Sequence, residues 1–157
     1  MDKVFFHSKI ESLLLLLEKL EAILLEHEHN KAMREYLLYA AEKKAEEIVE
    51  LAVSLNQELL KTKNKNSLSY YDSFIDLKVF KVFLEENLRQ LASTAGFRNR
   101  LAHDYLDVDS TLALGTMKRM LPQCKLNVGQ KLSQSQQAVW HYASDFIVVS
   151  KLRPLTS

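Results

Sequence analysis

The segment Phe97-Arg98-Asn99-Arg100-Leu101-Ala102-His103-Asp104-Tyr105 holds more phosphate-binding and proton-exchanging side chains than any other stretch of the chain. Arginine is a permanently charged, forked donor that matches phosphate oxygens, histidine exchanges a proton near neutral pH, and tyrosine adds a hydroxyl. Together they are an inventory for phosphodiester chemistry. Six Arg and five His in 157 residues would produce some Arg-x4-His by accident about one time in five, and a Tyr two residues further on lowers that to roughly one in a hundred. Asn99, beside the arginine, lowers it again.

The elements that must carry this segment are helical. A chain of 157 residues with 47% hydrophobic content suffices for one core and is too short for two ordinary domains, so residues 1–157 are expected to form a single domain. Three Gly and two Pro, with both prolines beyond position 121, leave the first 95 residues almost free of helix breakers. That composition predicts an all-α, up-and-down bundle of four to five main helices plus a short one. A net charge of +1 sets up no global basic field, so any RNA contact must be a local patch. The single Cys124 excludes an intrachain disulfide and a Cys-x2-Cys metal knuckle. With no signal-peptide pattern, a cytoplasmic location is expected.

Ile10, Leu13, Leu17, Leu20 and Leu24 recur at steps of three and four and predict a first helix over 2–28. Its Leu13–Leu17 run, flanked by Glu11, Glu18, Lys19 and Glu21, is too short to cross a bilayer and widens the apolar face, which a second chain could cover. His27 and His29 stand about 200° apart on a helix and do not converge on one metal ion. A second helix over 31–61 carries the seam Leu37, Ala41, Ala45, Ile48, Ala52, Leu55 and Leu59, whose alanines allow close approach. Glu42, Lys43, Glu46, Glu47 and Glu50 read as its solvated face, with Lys43 and Glu47 spaced for an i,i+4 pair. The polar stretch 61–66 reads as a soluble connection, and Ser69 or Asp72 as the cap of a short helix to about Val79. Tyr70, Phe74 and Leu77 face inward on it, and Tyr70 and Tyr71 are read as core aromatics before base-stacking ones.

The helix leading to the motif is expected to begin near Val79, with Phe80, Leu84, Leu88, Leu91 and Ala95 as its buried stripe. Continuing that stripe reaches Arg98 and then Ala102, so a charge stands where an apolar residue is called for. Two readings follow: a functional arginine, or a structural one paired with a buried acid. Asn99 and His103 share a face, whereas Arg98 and His103 differ by about 140° in an unbroken helix. Either the helix ends before His103 or a second, two-fold-related chain completes the site. Beyond the motif, a helix over 109–121, an irregular stretch around Pro122 and Gly129, and a last helix over 133–151 with Val139, Tyr142, Phe146 and Val149 inward are expected.

Arg98-x4-His103-x-Tyr105, with Asn99 and the acidic turn Leu106-Asp107-Val108-Asp109 behind it, resembles the motif of HepT-type toxins in the HEPN superfamily of small helical ribonucleases. Leu68-Ser69-Tyr70-Tyr71-Asp72-Ser73-Phe74-Ile75-Asp76-Leu77, the leucine-rich first helix and the Tyr-Ala-Ala-rich second helix extend the resemblance from the N-terminus to Asp109, about two-thirds of the chain. Residues 118–131 look longer and more irregular than that family suggests.

The resemblance implies an HEPN-like bundle working as a homodimer, with both motifs at the interface, possible assembly into a larger hetero-oligomer, and no membrane association. It further implies the toxin half of a bacterial toxin–antitoxin pair: a metal-independent endoribonuclease needing no cofactor, whose products carry a 2′,3′-cyclic phosphate. In that scheme Arg98 and His103 are catalytic, Asn99 and Arg100 support them or hold RNA phosphate, and Tyr105 receives AMP from an MntA-type nucleotidyltransferase antitoxin. The alternative is a non-catalytic HEPN partner that presents substrate to a nucleotidyltransferase; a third reading makes the motif a polar knot in the bundle.

Overall fold

The computed structural model describes residues 2–103 and 109–134, with the side chains of His103 and of 132–134 left aside. The described residues form five α-helices and one 3-10 turn, the all-α bundle that the composition predicts. The Asp2 carboxylate accepts from the Phe5 N–H at 3.1 Å and caps α1, Lys3–His29. Ile10, Leu13, Leu17, Leu20 and Leu24 are all buried along one side of it, as their spacing requires. Of the Leu13–Leu17 run only Leu15, 52% exposed, opens to solvent; Leu13, Leu14 and Leu17 are buried and Leu16 packs partly against the core.

Asn30 Oδ1 accepts from the Met33 N–H at 3.2 Å and holds a turn, so α2, Arg34–Lys61, begins three residues later than expected. Lys9 Nζ donates to Ser54 Oγ at 2.6 Å at one end of the helix pair, and Arg34 Nε donates to the His27 carbonyl at 3.3 Å at the other, which makes α1 and α2 antiparallel. Ala41, Ala45 and Ala52 are buried in their seam, where small side chains bring the backbones together. On the outer face Lys43 pairs with Glu46 and Lys44 with Glu47, each at 3.2 Å, in place of the expected Lys43–Glu47 pair. Spacings of three and four are both within reach on a helix, and Lys44 already occupies Glu47.

After α2 the chain turns through Asn64 in the left-handed region (φ 53), and the Lys65 N–H reaches back to the Leu60 carbonyl at 3.0 Å. Ser69 Oγ accepts from the Asp72 N–H at 3.0 Å and caps α3, Tyr70–Ile75, which tightens into the 3-10 turn Asp76–Phe80. Phe74 and Leu77 are buried and Tyr70 partly so. The motif helix, α4, spans Glu85–His103 and does not begin near Val79. Lys81 takes a left-handed conformation (φ 60) and breaks the helical register there. Leu84 is consequently exposed and Phe83 buried, edge-on to Phe80 with ring centroids 6.2 Å apart; Leu88, Leu91 and Ala95 keep their expected burial.

The last described element, α5, runs unbroken over Ser110–Gln134, so the expected end at Leu121 and the irregular stretch around Pro122 and Gly129 are not found. Pro122 is exposed, which leaves water free to satisfy the carbonyl one turn back that its missing N–H abandons. The buried face of α5, Ala113, Met117, Met120, Cys124 and Val128, keeps helical spacing straight through the proline. Lys118–Glu28 at 3.0 Å and Lys125–Glu21 at 2.8 Å tie this helix to α1. Apart from Ser133 and Gln134, which end α5, the expected last helix lies outside the described residues. No helix among the described residues is long and apolar enough to cross a membrane.

One buried position breaks the apolar rule. Lys131 is fully buried, its Nζ is 5.9 Å from the centre of the Phe74 ring, and the amine has no hydrogen-bond partner among the described residues. Burial pushes its pKa down from the ordinary 10.5 to about 7. Between those values the unfolded chain binds more protons than the folded one, so stability rises as pH climbs from about 7 toward 10.5 and is lowest below pH 7. Lys131→Met should remove that dependence and raise the unfolding free energy more at pH 7 than at pH 10, by on the order of a few kcal/mol at the lower pH, with a matching rise in melting temperature. Thermal melts of both proteins across that range are the check, and equal pH dependence would contradict it.

Candidate functional site

The motif occupies the C-terminal end of α4, whose helical backbone continues through His103, so the helix does not stop short of the histidine. Arg98 is the residue the fold holds most closely. Its side chain, 20% exposed, crosses to α2 and forms an ion pair from Nη2 to Glu50 Oε1. Glu50 Oε2 accepts from the Tyr70 hydroxyl of α3 at 2.7 Å, and the guanidinium lies 5.5 Å from the centre of the Tyr70 ring. Three helices thus fix one arginine. Arg98 Nη1 also donates to Asn99 Oδ1 at 3.3 Å, while Nε is buried with no hydrogen-bond partner among the described residues.

Sequence reasoning missed Glu50 and Tyr70 as partners of Arg98. The charge pattern assigns Glu50 to the solvated face of α2 and the apolar spacing assigns Tyr70 to the core; in the structure each is partly buried, at the margin between the two. The available signal was the stripe that runs into Arg98, since an arginine at an apolar register calls for an acid opposite. Hydrogen bonding to the Glu50 carboxylate is the main reason the Tyr70 hydroxyl is held above its ordinary pKa, with burial next; the Arg98 charge opposes both. A raised tyrosine pKa is stability present below pH 10 and lost as pH climbs through the folded value. In an ultraviolet titration the upward-shifted tyrosine step should therefore vanish in Tyr70→Phe and move down in Glu50→Gln. An unchanged Glu50→Gln curve would refute the coupling.

Next to the end of α4 is a cleft of about 310 Å³ bounded by Tyr39, Glu42, Lys43 and Glu46 of α2 and by Leu101 and Ala102. Partial burial raises the pKa of the Glu42 carboxyl. Glu42, Glu46 and Glu50 are spaced four apart, so this side of the motif presents a row of carboxylates. Arg100 stands about 200° round the helix from Arg98 and faces the opposite way, toward α5. The structure therefore joins Arg98 to Asn99 and turns Arg100 away from Arg98. Tyr105 lies outside the described residues. His27 is buried at the end of α1, where desolvation, then Arg34 and Lys118, lower its pKa.

The family described as Ribonuclease HepT-like matches residues 13–130, three-quarters of the chain, from the first leucine of the α1 run to the last turns of α5. This chain belongs to that family. Its all-α bundle is accordingly an HEPN-like one, and the expectation drawn from Arg98-x4-His103-x-Tyr105 holds at the level of family and fold. A relative from Aphanizomenon flos-aquae (strain 2012/KM1/D3), named tRNA nuclease HepT, is 32% identical over 84 residues. The match takes in 53% of this HepT-like chain and 57% of that protein, so it spans little more than half of either.

Proposed function

We propose that this HepT-like chain is a metal-independent endoribonuclease and the toxin half of a toxin–antitoxin pair. The observation that carries the reading is the family match over residues 13–130 together with an arginine that three helices orient at the motif. The name of the Aphanizomenon relative points to RNA as the substrate class.

In the proposed reaction the ribose 2′-oxygen attacks the adjacent phosphorus, the bond to the 5′-oxygen breaks, and a 2′,3′-cyclic phosphate is left on one product. One proton leaves the 2′-hydroxyl and one arrives on the 5′-oxygen. His103 performs one of these transfers, and Arg98 stabilises the charge that grows on the phosphorane oxygens. Asn99 holds the guanidinium through its Oδ1, a positioning role consistent with their 3.3 Å contact. Two chains complete the site as a homodimer. A continuous helix sets positions 98 and 103 about 140° apart, so one protomer offers the two groups in different directions.

The Glu50 ion pair also suits the structural reading, in which Arg98 serves only the bundle. Purified protein cutting RNA in excess chelator, with His103→Ala and Arg98→Ala each lowering the rate by roughly a hundredfold or more, decides for catalysis, provided helical content and dimer mass are unchanged. Equal cutting by the variants would assign the activity to a contaminant.

Regulation is proposed to act at Tyr105, whose hydroxyl oxygen attacks the α-phosphorus of ATP and takes up AMP as pyrophosphate leaves, catalysed by an MntA-type nucleotidyltransferase antitoxin. A bulky anion two residues beyond His103 would compete with RNA sterically and by neutralising arginine charge. Co-expression with that partner should add whole AMP units to the intact mass, and Tyr105→Phe should lose both the added mass and the protection. Protection without added mass would mean inhibition by binding alone.

A further inference from the structure

The side of α4 turned away from Glu50 carries a second polar surface. Gln90, Ser93 and Arg100 of α4 and Thr116, Arg119 and Gln123 of α5 border a groove of about 330 Å³ between the two helices, over a floor that includes the buried Phe97 and Met120. The two helices are antiparallel here, since Gln90, 13 residues before the end of α4, meets Gln123, 13 residues after the start of α5: Gln123 Nε2 donates to Gln90 Oε1 at 2.7 Å, and Asn87 Nδ2 donates to the Gln123 carbonyl at 3.3 Å. The groove therefore begins at the amide pair Gln90–Gln123 and ends beside Arg100, at the motif. From residue 90 to residue 100 it covers about 15 Å of helix.

Its chemistry is one-sided. Among the described residues, two arginines, three hydroxyls and two amides border it, and no carboxylate does. Neither Arg100 nor Arg119 forms an ion pair with any described acid, although eight other basic side chains, including Arg89 and Arg98, do so with carboxylates other than that of Glu11. Glu86, the nearest acid along α4, lies beyond the far end and is engaged by Arg89 at 3.0 Å and Gln90 at 3.2 Å. Arg119 rests across its own helix: Nη2 donates to Thr116 Oγ1 at 3.4 Å, and a Cβ at Gly115 would come within 3.2 Å of Nη1, so the missing side chain leaves room for the guanidinium. The cleft on the other side of α4 is bordered by Glu42 and Glu46. Among the described residues, a polyanion passing the motif meets Glu42 and the Lys43–Glu46 pair on one side and two guanidinium groups without an acidic partner on the other.

We infer that the α4/α5 groove is a backbone-binding track for single-stranded RNA, with Arg100 and Arg119 on successive phosphates and the hydroxyl and amide side chains on phosphate and ribose oxygens. Unpaired guanidiniums release counterions when they meet phosphate, whereas those already held by carboxylates release few. The track rests on the ribonuclease reading for its biological purpose. Its contacts are to phosphate and sugar, so it positions RNA without reading base sequence.

The test uses the full chain and a fluorescein-labelled 2′-O-methyl oligouridine, which lacks the nucleophile and so reports binding whether or not the protein cuts RNA. Binding is measured by anisotropy across a salt series. Combined Arg100→Gln and Arg119→Gln should weaken binding about tenfold or more and flatten the plot of log K against log salt by about 1.4, two contacts at about 0.7 each. Combined Arg100→Lys and Arg119→Lys, which keep the charge, should retain most of the slope. Helical content and unfolding midpoint matching wild type would show that the fold is intact in both. Wild-type affinity and slope in the double Gln variant would overturn the track, as would failure of the wild type to bind the probe. Selective loss of antitoxin binding with RNA affinity intact would likewise overturn it, by assigning the groove to an acidic protein surface. None of these outcomes depends on cleavage, so a chain that binds the probe through these arginines yet leaves RNA uncut would refute the nuclease proposal and keep the groove.

Discussion

An unbroken helix from Glu85 to His103 is the constraint on which the candidate site depends. At 100° per residue it sends Arg98, Asn99 and Arg100 in three directions, however close they stand in sequence. Arg98 turns to α2 and α3, where Glu50 and Tyr70 receive it; Arg100 turns to α5, where no acid among the described residues does. The two arginines of the motif therefore have different electrostatic surroundings, one paired with a carboxylate and one without an acidic partner among the described residues. That division makes the two sides of α4 chemically different surfaces.

The polar arrangement at Arg98 is not what holds the bundle together. A partly exposed ion pair contributes on the order of 0–1 kcal/mol net, whereas each fully buried Leu or Phe contributes about 1.5–3 kcal/mol. Phe6, Ile10, Leu13, Leu17 and Leu20 on α1 and Ile48, Leu55 and Leu59 on α2 supply many such terms. What Glu50 and Tyr70 contribute is orientation. They confine a long, flexible side chain to one place at the end of α4, and a guanidinium already confined loses less freedom when it meets a phosphate. Their own positions come from the apolar packing of α2 and α3, so the hydrophobic seam sets the geometry of the polar site.

Lys131 shows the opposite economy, a charged-type residue at a core register with no acid opposite it among the described residues. Its position three residues after Val128 continues the buried stripe of α5 as Arg98 continues that of α4. Arg98 reaches the margin of the bundle and finds a carboxylate; Lys131 stays inside, where burial pushes its pKa down to about 7. The difference lies in how far each backbone position sits from the edge of the core.

Much of this fold was legible in the order of residues. The seams of α1 and α2, the Ser69 cap and the family motif follow from periodicity, capping chemistry and residue spacing, all of which act within a few turns of chain. Helix limits were less legible. The late start of α4 depends on Lys81 adopting a left-handed conformation that is usually left to glycine, and the continuity of α5 depends on Pro122 facing water, which composition does not reveal. The pairing of Arg98 with Glu50 and Tyr70 was not legible at all. Those residues are 48 and 28 positions upstream, and only the packing of three helices decides which of many glutamates and tyrosines stands opposite a given arginine. Spacing along one helix determines direction; which partner waits in that direction is a property of tertiary structure, because apolar burial between helices sets their mutual register.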